Sequence, residues 1–120
     1  MNQYDPVVDE VVILRGPAPL DVDEIKQRIV PLLRQHGAAA AFLFGSYARG
    51  DADAWSDIDL LVVMQTDRVF IERPLELIDV LDALPTATDI LVYTPEEFER
   101  GRKRDTGIFA ALNDEGIRLL

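Results

Sequence analysis

Two short runs of this chain carry residue types suited to chemistry on phosphate. The first is Gly45-Ser46-Tyr47-Ala48-Arg49-Gly50, and the second is Ser56-Asp57-Ile58-Asp59-Leu60-Leu61. Ten residues separate Ser46 from Asp57, so the pattern reads G-S-x10-D-x-D. Glycine lets a backbone approach a phosphate closely, and the N–H groups that open a helix attract anions. The Ser46 hydroxyl adds a donor, and Arg49, one turn on, carries a planar fork able to reach a terminal phosphate. Asp57 and Asp59 stand two apart, so on a strand both project from one face with Cα atoms roughly 7 Å apart. That spacing suits oxygen-ligated Mg²⁺, which takes one or two protein carboxylates and fills its shell with waters and phosphate oxygens. Two such ions, about 3.5–4 Å apart, stabilise both the attacking and the leaving oxygen of an in-line displacement.

These side chains act together only if the fold converges them. Residues 38–44 read as a buried strand bounded by Gly45, and residues 57–64 as a second strand. Beyond its aspartates the second strand is apolar on both faces, as in the centre of a covered sheet. A short linker between the two favours antiparallel neighbours, which puts the Gly-Ser turn and the carboxylates at one end of the sheet. Asp89 opens a third strand, residues 89–93, after an intervening helix. A helical crossover makes the second and third strands parallel, so Asp89 comes to the same end as a third carboxylate. Its expected role is to bind the catalytic metal and help deprotonate the attacking group.

Around this core, Asp21 and Glu24 resemble an N-capping pair, and Val22, Ile25, Ile29, Leu32 and Leu33 follow at helical spacing. Pro31 falls inside that helix, so a kink or restart is expected there, and His36-Gly37 closes it. Leu75, Leu77, Ile78, Leu81 and Leu84 give another helix with Pro74 in its first turn. Thr94-Pro95-Glu96-Glu97 starts a further one, a helical pattern runs from about Thr106 to Asn113, and residues 116–120 suit a terminal strand. Residues 7–14 suggest a strand or a short helix, ended by Gly16-Pro17-Ala18-Pro19. The expected fold class is α/β (α+β): a small mixed sheet with flanking helices.

The chain has 120 residues, enough for a single domain spanning 1–120, with a core at about 21–120 and a 1–20 extension. At 48% apolar and 28% charged it is globular in composition, and its longest apolar run is too short to cross a bilayer. The first residues lack the order of a secretion signal, and zero cysteines exclude disulfides and thiolate metal sites, so a cytoplasmic location is expected. With 22 acidic against 12 basic residues the formal charge is −10, which repels a nucleic-acid backbone. A nucleotide triphosphate binds such a chain only where metal ions and local donors offset the field.

The residues quoted resemble the nucleotidyltransferase superfamily of DNA polymerase beta, in particular its minimal MNT branch. Besides the core motif, the resemblance includes residues 88–97, TDILVYTPEE, and the closing residues 113–120, NDEGIRLL, and it covers about residues 21 to 120. It implies a polymerase beta palm-like fold, phosphate binding by Gly45 and Ser46, and metal binding and catalysis by Asp57, Asp59 and Asp89. MNT proteins of this kind are similar to antitoxins encoded beside HEPN ribonuclease toxins. The resemblance thus implies a Mg²⁺-dependent transfer of AMP from ATP to a tyrosine of a HEPN partner. One point favours a protein substrate: larger relatives carry extra domains to hold the acceptor, and this chain has no residues left for one. The alternatives are a stand-alone enzyme modifying a small hydroxylated molecule, and an inert module that neutralises its partner by contact.

Other residues have plainer readings. Arg49 can instead be a solvated arginine or pair with Asp51 or Asp53. His36 is most simply a cation near a helix C-terminus, and Trp55 a loop anchor, although an indole beside the motif could stack on adenine. Arg100, Arg102, Lys103 and Arg104 read as a solvated helix end, or as a surface for a triphosphate tail or a partner.

Overall fold

A computed structural model describes residues 19–120. The strand or helix expected at residues 7–14 lies outside the described residues, with all but the end of the N-terminal extension. Helix α1, Val22–Gln35, opens with the expected capping box: the Asp21 carboxylate accepts from Glu24 N–H at 2.8 Å, and Asp21 N–H donates to Glu24 Oε1 at 3.2 Å. The helix runs through Pro31 without a restart. Pro31 and Gln27, whose carbonyl loses its partner, both lie on the exposed face, where water satisfies that carbonyl. The opposite face buries Ile25, Ile29, Val30 and Leu33.

Strand β1 (Ala40–Phe44) leads into a short helix α2 (Ser46–Arg49), and strand β2 (Ile58–Val63) follows. A 3₁₀ segment, Phe70–Leu77, continues into helix α3 (Ile78–Asp82), then strand β3 (Thr88–Tyr93). Helix α4 (Pro95–Arg104), helix α5 (Ile108–Glu115) and strand β4 (Ile117–Arg118) complete the chain. The sheet order is β3-β2-β1-β4. β1 is antiparallel to β2, and β2 is parallel to β3, as the linker and crossover lengths predict; β4 also pairs antiparallel with β1.

β2 is covered on both faces. Ile58, Leu60 and Val62 join the cluster containing Ile25, Ile29 and Leu33 of α1, while Leu61 and Val63 meet Phe44, Phe109 and Leu112. On the second face a chain of aromatic contacts links Phe42 to Phe98, Phe98 to Phe109, and Phe109 to Tyr93, with centroids 5.1–5.9 Å apart.

The region before β3 differs from expectation: Pro74 sits inside the 3₁₀ segment, and the α-helix begins only at Ile78. No side chain caps the start of the segment, and Pro74 lacks an N–H to give. What holds it is Arg73, whose buried guanidinium donates to the Arg68 carbonyl at 3.0 Å, the Val92 carbonyl at 3.0 Å and Glu97 at 2.6 Å. Glu97 also closes the α4 capping box with Thr94. One ion pair therefore ties the segment, β3 and α4 together.

Candidate active site

The antiparallel register sets Phe44 opposite Asp59, so the chain leaving β1 turns at the start of β2. The turn is Gly45, at φ +74° and ψ −155°, a conformation that residues with a Cβ avoid. A Cβ there would also overlap Asp59 Oδ2, so only glycine lets the turn lie against that carboxylate. Ser46 then starts α2, with Ala48 and Arg49 N–H both bonding the Gly45 carbonyl at 3.0 Å. Gly50, in the left-handed region at φ +82°, ends the helix after one turn.

Residues 51–57 return the chain to β2 through a turn built on Asp53. Its Oδ1 accepts from Trp55 N–H at 2.9 Å and from the Ser56 hydroxyl at 3.0 Å, and Ser56 Oγ accepts from Asp53 N–H at 2.9 Å. These bonds hold the Asp53 carboxyl below its usual range, the Trp55 N–H most strongly. Ser56 thus has a local structural reason to precede the D-x-D pair. Trp55 is no loop anchor: three-quarters of it faces solvent.

In the parallel pair, Asp59 stands beside Asp89, and Ile58 beside Thr88. Asp57 lies immediately before β2, not within it as expected. Burial, then the neighbouring carboxylates Asp89 and Asp57, push the Asp59 carboxyl above its ordinary range, with Arg49 pulling the other way. The carboxylates therefore feel one another. A divalent cation relieves such crowding, since it becomes the largest local charge and reverses the preference for protonation. Among the described residues no three carboxylate, histidine or cysteine side chains form a ready cage. The donor set nonetheless fits Mg²⁺, whose sites combine one or two carboxylates with water and substrate phosphate rather than an all-protein shell. A cleft of about 470 Å³ adjoins Asp59 and Asp89, lined also by Phe44, Pro74, Leu91 and Ile108.

Arg49 is at the turn, but engaged: Nε donates to Asp51 at 3.3 Å and Nη1 to Glu115 at 3.1 Å. Gly45 N–H likewise donates to Glu115, at 2.6 Å. Glu115 is the site neighbour that sequence reasoning missed: it lies in the closing NDEGIRLL stretch, but no local pattern ties it to the Gly-Ser turn. His36 sits at the far end of the sheet, its Nε2 2.8 Å from Asp79 of α3. Arg102, Lys103 and Arg104 of the basic run occupy the last turn of α4, with Arg100 just before it, and Arg102 pairs with Glu99 at 2.7 Å.

A four-stranded mixed sheet, with a Gly-Ser turn ending one strand and aspartates at the starts of the next two, has the layout of a nucleotidyltransferase. The chain belongs to that family: residues 22–109 match the nucleotidyltransferase domain. A protein of Methanocaldococcus jannaschii assigned as a protein adenylyltransferase is 34% identical over 74 residues, covering 62% of this chain and 80% of the relative. A solved structure described as a minimal nucleotidyltransferase superposes with a TM-score of 0.57 at 25% identity, over 84% of this chain and 98% of that one. A complex of tri-AMPylated HEPN toxin with MNT antitoxin from Shewanella oneidensis matches at TM-score 0.52 and 20% identity, over 82% of this chain and 71% of that one.

Proposed function

We propose that this nucleotidyltransferase moves AMP from ATP onto a tyrosine hydroxyl of a HEPN-family toxin and so acts as its antitoxin. The observation that carries the reading is the register of Asp59 beside Asp89, with Gly45 packed against Asp59. Carboxylates and phosphate turn then share one small volume. The adenylyltransferase assignment of the archaeal relative supports AMP as the transferred group, and the AMPylated toxin in the Shewanella complex supports the partner. A cytoplasmic place of action fits a chain without cysteines.

In this reading Gly45 lets the phosphates approach the turn closely, Ser46 holds them through its backbone N–H and hydroxyl, and Arg49 faces the developing charge of the leaving pyrophosphate. Asp57, Asp59 and Asp89 would hold two Mg²⁺ ions, which supply Lewis-acid charge at the phosphates. Asp89 accepts the tyrosine proton as the phenolic oxygen bonds to the α-phosphorus. The bond from that phosphorus to the bridging oxygen breaks, and pyrophosphate leaves with the electron pair. The cleft beside Asp59 and Asp89 has an apolar floor, including Phe44 and Leu91, that suits an aromatic acceptor.

The test is to look in the neighbouring reading frames for a HEPN protein and to analyse that protein by mass spectrometry after incubation with this chain, ATP and Mg²⁺. An AMP increment on a tyrosine is expected, and none with Asp57→Asn/Asp59→Asn. Absence of the increment with the wild-type chain overturns the reading. Neutralisation in cells that survives the double substitution would mark a contact-only antitoxin instead.

A further inference from the structure

Glu115 is the last residue of α5, so its carboxylate sits at the negative end of a helix, where its charge is locally unfavourable. It also holds the turn that lies against Asp59, bringing a further negative charge to the end of the sheet where the aspartates gather. A conflict of this kind is expected only where a tertiary partner or a function compensates it. The compensation is visible. Glu115 Oε2 accepts from Gly45 N–H at 2.6 Å, and Arg49 Nη1 donates to its two oxygens at 3.1 and 3.3 Å.

The placement follows from the sheet. β4 pairs with β1 so that Ile117 faces Leu43 and Arg118 faces Phe42, and continuing this register brings residue 115 opposite Gly45. Arg49 has a competing partner in Asp51, whose side chain is largely exposed. Without Glu115, the remaining pull on the guanidinium is toward the linker and away from the turn.

The geometry points to Glu115 as a positioning residue for the nucleotide: it clamps the Gly45 peptide and aims Arg49 at the phosphates. This rests on the nucleotide-transfer reading above. It requires no contact between Glu115 and the nucleotide itself. Glu115 acts through the two groups it holds, as supporting partners do around ligating side chains.

The test is calorimetric binding of Mg²⁺·ATP to the full chain, with thermal midpoints measured in parallel. Glu115→Ala is expected to weaken binding about tenfold, the usual size of losing a supporting partner. Glu115→Gln, which keeps an oxygen for the Gly45 N–H, should fall between Glu115→Ala and wild type. Arg49→Ala combined with Glu115→Ala should bind more weakly than Arg49→Ala alone but by less than tenfold, because Glu115 works partly through Arg49 and partly through Gly45. Wild-type or tighter affinity in Glu115→Ala overturns the assignment; the tighter result would mean that the carboxylate competes with phosphate. Full additivity with Arg49→Ala overturns it too, as does a lowered midpoint with unchanged affinity. If Glu115→Ala does not fold, Glu115→Gln decides, and unchanged affinity there is fatal. A wild-type chain that fails to bind Mg²⁺·ATP removes the nucleotide-transfer reading and this role with it, whereas normal wild-type binding with silent Glu115 variants removes the role alone.

Discussion

Asp59 illustrates how a candidate site residue opposes the fold that holds it. Its carboxyl is partly buried beside Asp89 and Asp57, and folding raises its pKa. The folded chain therefore binds that proton more tightly than the unfolded chain. The cost of ionising it is absent below the ordinary carboxylate range and complete once the pH exceeds the raised value. Asp59→Asn removes the cost: it should raise the thermal midpoint at pH 7 in metal-free buffer while abolishing AMP transfer. The gain should shrink toward zero near about pH 3, where the wild-type carboxyl is protonated in both states. A scan of midpoint against pH checks this. Gly45→Ala should act oppositely on stability, because a positive φ and the Asp59 side chain both exclude a Cβ. A loss of about 1–3 kcal/mol by denaturant unfolding is expected, together with loss of nucleotide binding.

At the scale of elements, the 3₁₀ segment and α4 depend on one ion pair. Arg73 is buried and holds the Glu97 carboxyl down at about 2, chiefly through the side-chain hydrogen bond and then through the Thr94 N–H. A depressed pKa gives stability that is present above the ordinary value of 4.5 and lost as pH falls toward about 2. Glu97→Gln should cost roughly 1–2 kcal/mol at pH 7, discounted because about a third of the Glu97 side chain faces water. Its midpoint should also fall less steeply than wild type between pH 4.5 and 2. The same segment and the residues flanking it expose Val69, Phe70, Ile71, Leu75 and Ile78, with Ile71 86% exposed. Ile71→Ser should accordingly leave unfolding free energy within about 0.5 kcal/mol of wild type, measured by urea titration.

For the whole molecule, charge sets the response expected to a divalent cation. A chain of formal charge −10 that crowds carboxylates at one end of its sheet gains from a divalent cation where it would repel a polyanion. Mg²⁺ at a hundred times its dissociation constant should stabilise the chain by about 2.7 kcal/mol. EDTA should remove the gain, and Asp57→Asn/Asp59→Asn should never show it; scanning calorimetry reads all three. Among the described residues no helix is long and apolar enough to cross a membrane.

Much of this arrangement was legible in the sequence, for a physical reason. The helix caps at Asp21 and Thr94, the strand periodicities and the G-S-x10-D-x-D spacing are local properties, and short linkers leave few ways to pair the strands. The strand directions then followed, and with them the convergence of Gly45, Asp57, Asp59 and Asp89. What the tertiary structure alone decided involves partners far apart in the chain. Arg73 reaches Glu97 and the Val92 carbonyl, which delays the α-helix to Ile78 against the local pattern from Leu75. Glu115 reaches Gly45 across seventy residues through the register of a two-residue strand. A side chain's spacing along its own element carries no record of such a contact, because the contact is created by the pairing of another strand. The G-S turn was thus readable as a tight turn beside the aspartates, while the carboxylate that braces it appears only once β4 lies beside β1.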